Sequence, residues 1–197
     1  MILAFHKPYG VLSRFTGPSR AAIEKEGPSG PPLRTLADFG FPKKVYSVGR
    51  LDADSEGLLL LSDEKEWNDK LLNPRHAHER TYHVQVEGLV TEVALEKLCK
   101  GLIIQGHRTR PCRGEILKAP RYPPRQPPIR FRLSVPTSWI ELKLTEGKNR
   151  QVRRMTAAVG FPTLRLIRTA IGGYALGDLP AGKWRVLTAP EKQSLLR

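Results

Sequence analysis

The stretch VGRLDADSEGLLLLS at positions 48–62 sets an acidic loop against a run of leucines. Asp52 stands two residues from Arg50. If that guanidinium lies close in space it lowers the carboxyl pKa. An ionised, partly desolvated aspartate is a competent nucleophile toward an electrophilic carbon. Asp52, Asp54, Ser55 and Gly57 are also ordinary turn residues, and Asp–Arg pairs are often structural, so loop composition leaves both readings open.

A second cluster is EGKNRQVRRM at 146–155. Lys148, Arg150, Arg153 and Arg154 fall on a turn and the start of a helix, where backbone amides and guanidiniums both suit phosphate. Helical spacing lets one arginine turn inward as a carboxylate partner while others face solvent. Cations at a helix start oppose its dipole, a small loss of stability that favours a functional reason for them. Tyr82, within RTYHVQV, could stack on a base and offer its phenol to a proton; a half-buried strand tyrosine is the plain alternative. Arg165 and Arg168, among Leu164, Leu166 and Ile167, read as charge on one sheet face with apolar groups on the other, or as protection of an edge strand.

The elements that carry these groups are legible in outline. Residues 80–88 alternate with period two and stop at a glycine, as a strand does. Residues 139–144 alternate likewise. Residues 58–61 are too short and too apolar for a surface element and read as a buried strand. Residues 164–171 form an arginine-rich strand and residues 45–48, 184–187 and 11–15 shorter ones. Helices are expected at 64–72, at 91–100 with Thr91 as N-cap and Gly101 as stop, and at 151–159. Residues 16–32 read as a mobile loop and residues 118–128, basic and proline-rich, as a stiff exposed connection. The outcome is an α+β fold, a mixed and mostly antiparallel sheet with helices and loops on it.

The chain has 197 residues, enough for one large domain or two small subdomains around one cleft. It carries 33 Lys and Arg against 19 Asp and Glu, a net charge of +14, which points to a polyanionic partner, nucleic acid before membrane. No apolar run approaches the ~20 residues that cross a bilayer. His6 and Lys7 interrupt what would be a signal-peptide core. Two cysteines fit a reduced, cytoplasmic protein. There is no GxxxxGK[ST] phosphate loop and no GxGxxG after a strand. Neither His76 with His78 nor Cys99, His107 and Cys112 has a usual metal spacing, so no metal site is expected.

Taken together and in order, KPYG at 7–10, GRLDADSEGLLLLS at 49–62, RTYHVQV at 80–86, EGKNRQVRRM at 146–155 and LRLIRTAIGG at 164–173 resemble the RsuA/RluB/RluE/RluF family of pseudouridine synthases. The resemblance runs from about residue 4 to residue 186. It implies the pseudouridine synthase fold and isomerisation of uridine in RNA without a cofactor. It implies that Asp52 is the catalytic carboxylate, either attacking the ribose or assisting glycal formation. Tyr82 stacks on the base and relays a proton, and Arg153 orients Asp52 and holds it ionised. Leu166 forms an apolar pocket wall. Arg50 contacts the backbone or fills the space the uridine leaves, and Lys148, Arg150, Arg154, Arg165 and Arg168 contact phosphate. The first motif begins at Lys7, leaving no room for the S4-type RNA-binding domain of many members. Residues 127–168 look most like members that modify large-subunit (23S) ribosomal RNA, the expected partner of a cytoplasmic monomer. The loop at 17–32 is longer than that resemblance predicts and is placed to alter RNA docking. A synthase for small-subunit RNA or tRNA, and a non-catalytic ribosome-assembly protein on the same fold, are the rival readings.

Overall fold

A computed structural model describes residues 1–17, 34–130, 132 and 134–197; the loop at 17–32, apart from Gly17, lies outside them. The strands are β1 (Ile2–Lys7), β2 (Val11–Leu12), β3 (Arg34–Thr35), β4 (Tyr46–Val48), β5 (Glu56–Ser62), β6 (Arg80–Glu87), β7 (Ile103–Ile104), β8 (His107–Arg108), β9 (Arg113–Leu117), β10 (Thr137–Leu144), β11 (Thr163–Ile171), β12 (Tyr174–Ala175) and β13 (Trp184–Val186). Among the described residues, one nine-stranded sheet runs β13-β1-β5-β11-β6-β10-β9, with β4 on β5 and β12 on β11. All its pairings are antiparallel except β5 with β11. The helices are α1 (Glu66–Leu72), α2 (Glu92–Cys99), α3 (Gln151–Ala158) and α4 (Ala189–Ser194). None is long and apolar enough to cross a membrane.

The leucine run follows from position. Every residue of β5 is buried, because the strand lies between β1 and β11 and is covered on both faces. Leu58 and Leu60 join Ile2, Ala4, Trp67 and Ile171 on one side; Leu59 and Leu61 join Leu3, Phe5, Val11 and Leu51 on the other. A third cluster, Val84, Val86, Ile140 and Leu142 with Val152 and Met155 of α3, fills the far half of the sheet. Gly57 marks the point where β5 meets β11. Its φ is 102°, and a Cβ there would stand 2.2 Å from the Arg168 carbonyl oxygen, so no larger residue fits.

Three expectations change. Strand β11 is not an edge: β5 and β6 flank it on either side. The strand expected at 11–15 shrinks to two residues. The connection at 118–128 has no regular structure but is not simply exposed. The Tyr122 hydroxyl meets His83 Nδ1 at 2.5 Å, and the ring packs on Trp139. His83 in turn reaches Glu141 at 3.0 Å.

Candidate active site

The loop at 49–55, between β4 and β5, is held on both sides of Asp52. Ser13 Oγ donates to the Leu51 carbonyl at 2.7 Å and accepts from the Leu51 amide at 3.1 Å. Gly10 N–H donates to the Ala53 carbonyl at 2.7 Å. Leu51 itself is buried in the core. With neighbours 51 and 53 fixed, the Asp52 side chain has one place to go, and it projects into a cleft of about 700 Å³.

Lys7 supports this arrangement from beneath. It is fully buried, and its ammonium donates to the carbonyls of Val11 at 2.7 Å and Pro8 at 2.9 Å, with Ala53 at 3.5 Å. Burial pushes its pKa from 10.5 down to about 7, against the pull of Glu56, Asp54 and Asp52. Between about pH 7 and 10.5 the unfolded chain holds the extra proton. The resulting stability is present in full above 10.5 and is lost as pH falls through 7. Chemical denaturation between pH 7 and pH 10 should show the wild type gaining stability with pH, and Lys7→Met lacking that gain.

Tyr82 of β6 and Leu166 and Arg168 of β11 line the same cleft as Asp52. Arg168 stands opposite Tyr82 in the β6–β11 register. The rim is cationic. Arg50, Arg80, Arg108, Arg110 and Lys148 line the cleft, and among the described residues no carboxylate lies within 4 Å of their charged groups, although the Arg110 backbone N–H donates to Glu146 at 2.8 Å. Arg150 is the guanidinium nearest Asp52, with Nη1 at 3.6 Å from Oδ2, and it forks onto Asp54 at 3.1 and 2.8 Å. Burial works against the Asp54 charge, but the Arg150 hydrogen bonds and the Arg153 charge outweigh it, and the Asp54 pKa lies below the usual aspartate value. Arg150 adopts φ 50° at the start of α3, a left-handed conformation that aims its side chain back at the loop.

Of the residues singled out in the sequence, Asp52, Tyr82, Leu166, Arg50, Lys148, Arg150 and Arg168 gather at one cleft, and three do not. Arg153 lies against Asp54 rather than Asp52: Nε is 3.3 Å from Asp54 Oδ2, and Nη2 donates to the Asp54 carbonyl at 2.6 Å. The left-handed turn at Arg150 brings that residue, not Arg153, to Asp52. Arg154 faces the β7–β8 turn and hydrogen-bonds Gln105 and Asn149. Arg165 is no surface phosphate contact. It is 9% exposed and forks onto Glu56 at 2.8 and 2.8 Å. The short distance between Arg50 and Asp52 in sequence does not become an ion pair.

Several residues that line the cleft or hold its loop were not singled out in the sequence. Lys7 sat inside the KPYG motif, and its parity with Leu3 and Phe5 on β1 was the available sign that it points inward. Arg80 shares the parity of Tyr82 on β6, whereas Arg108 and Arg110 carry no local signal, because only tertiary packing brings them to the cleft.

Comparison with known proteins places these motifs in context. The family model for RNA pseudouridylate synthase matches residues 1–158. The ribosomal large subunit pseudouridine synthase E of Xanthomonas campestris pv. campestris is 50% identical over 187 residues, 94% of this chain and 95% of that one. Its namesake from Vibrio vulnificus is 46% identical over 189 residues, 96% of this chain and 76% of that one. The ribosomal small subunit pseudouridine synthase A of Escherichia coli K12 is 31% identical, covering 91% of this chain and 71% of that one. A solved structure, the crystal structure of pseudouridylate synthase, superposes with a TM-score of 0.77 at 28% identity, covering 98% of this chain and 73% of that one.

Proposed function

The chain belongs to the RNA pseudouridylate synthase family, and on that premise we propose that the Asp52 cleft isomerises a uridine of large-subunit ribosomal RNA to pseudouridine. The observation that carries this reading is the projection of Asp52 into a cation-rimmed cleft that Tyr82 and Leu166 also line. The choice of large-subunit RNA rests on relatives so named at 45–50% identity, against 31% for the small-subunit synthase.

The reaction breaks the ribose C1′–N1 bond, turns the uracil and joins C1′ to C5; the C5 proton is lost and N1 gains one. The base that leaves is the nucleophile that returns, so the cleft must retain it and keep water from C1′. A paired uridine must first be drawn out of its stack, at a few kcal/mol. Asp52 either attacks C1′ or leads the sugar through a glycal, with Arg150 Nη1 standing 3.6 Å from its Oδ2. Arg153 fastens the loop by gripping Asp54. Tyr82 stacks on the uracil and relays a proton. Arg50, Arg80, Arg108, Arg110 and Lys148 take the phosphates that flank the target.

Five such contacts to partly single-stranded RNA give a steep salt dependence. Between 50 and 200 mM salt the affinity should fall on the order of 100-fold. A titration that shows affinity flat across that range contradicts the electrostatic account. The activity itself is tested by tritium release from RNA labelled at uridine C5. Release from large-subunit RNA is expected, and release from small-subunit RNA or tRNA alone overturns the substrate assignment.

A further inference from the structure

Arg168 is the one cleft cation that the fold leaves both buried and uncompensated. It lines the cleft yet is only 5% exposed; its Nε donates to the Leu58 carbonyl at 2.8 Å, and its Nη2, enclosed by the protein, has no hydrogen-bond partner. Among the described residues no carboxylate lies within 4 Å of it; the titratable groups beside it are Tyr82 and Arg80. Other arginines near the site are matched, Arg150 and Arg153 with Asp54 and Arg165 with Glu56. An unpaired buried guanidinium destabilises a fold, so its place on the cleft wall between Tyr82 and Leu166 calls for a ligand that supplies negative charge.

The proposed reaction generates such a charge at that wall. When C1′–N1 breaks, both electrons stay on the base, leaving a uracil anion spread over N1, O2 and O4. We infer that Arg168 is a catalytic residue that hydrogen-bonds the uracil carbonyl oxygens and stabilises this anion until C5 reaches C1′. It contacts the base rather than a phosphate. Neutral uridine gains little from the guanidinium and the departing anion gains much, which is the differential binding that raises kcat. The inference rests on the reading that the cleft isomerises uridine.

The test compares wild type, Arg168→Lys and Arg168→Met on RNA carrying uridine or 5-fluorouridine at the target. Fluorine acidifies N1–H, so the anion needs less help. Single-turnover rates are read from nucleoside digests as loss of the starting nucleoside, because fluorine leaves C5 no proton to lose and pseudouridine cannot form from that substrate, with RNA affinity and thermal unfolding measured in parallel. The Met variant should lose on the order of 100- to 1000-fold in rate on uridine, with affinity changed by less than about threefold. Its loss on 5-fluorouridine should be at least about tenfold smaller. Arg168→Lys, which keeps the charge and most of the packing, should fall between. An active wild type with equal variant losses on both RNAs, or losses matched by weaker RNA binding, would overturn the role of Arg168. A wild type inactive on both would instead refute the underlying reading.

Discussion

Asp52→Asn is expected to reduce the isomerisation rate on the order of 10⁴-fold or more, the scale seen when a catalytic nucleophile or its essential partner is removed. Asparagine has nearly the same shape, but its amide can neither attack C1′ nor take a proton. The loop should keep its conformation, because the hydrogen bonds that fix it run through the backbone at 51 and 53 and not through the Asp52 carboxylate. RNA affinity should hold or rise slightly. The carboxylate is 38% exposed at the mouth of a cationic cleft, and losing its charge removes repulsion from an incoming phosphate chain. Single-turnover tritium release and a binding titration on the same protein separate the two effects. Rate and affinity falling together would mean that Asp52 shapes the cleft rather than reacting in it.

The second large effect is on stability. Arg165→Met should destabilise the protein by about 3–5 kcal/mol, because it strands the Glu56 carboxylate, itself 6% exposed, without its partner. Arg165 also donates to the Pro123 carbonyl at 2.9 Å, so the same change loosens the 118–128 segment from the sheet. The double variant Glu56→Leu/Arg165→Met should recover most of that loss, since well-packed apolar groups often replace a buried ion pair without penalty. Urea denaturation of the single and double variants measures this. The folded fraction of the single variant should bind RNA as wild type does. Weakened binding per folded molecule would restore Arg165 to the phosphate contacts.

These two residues also mark how far the sequence can be read. The Asp52 loop was legible because motif, turn chemistry and the leucine run occupy fifteen consecutive positions, and β5 needs those leucines on both faces. Tyr82 followed from alternation on β6. Leu166 rested on the family resemblance alone, and strand alternation puts it on the same face of β11 as Arg168 rather than opposite it. Arg165 broke the pattern expected of it. It stands three positions before Arg168, an odd spacing that puts the two on opposite faces of β11, and the register is continuous between them. Local charge marked it as surface, whereas its buried partner lies 109 residues away. Arg150 and Arg153 were legible as a pair; which of them meets Asp52 was not, because a left-handed residue at the helix start lies outside helical spacing. Arg108 and Arg110 reach the cleft through a short hairpin with no periodicity of its own.

The central claim is that this cleft converts uridine to pseudouridine in large-subunit ribosomal RNA. Chemical mapping of pseudouridine in ribosomal RNA tests it most directly, in cells that lack the gene and in the same cells supplied with wild type or with Asp52→Asn. One large-subunit position should lose pseudouridine on deletion, regain it with the wild-type protein and stay unmodified with the asparagine variant. An unchanged pseudouridine pattern on deletion, or full restoration by Asp52→Asn, would contradict it.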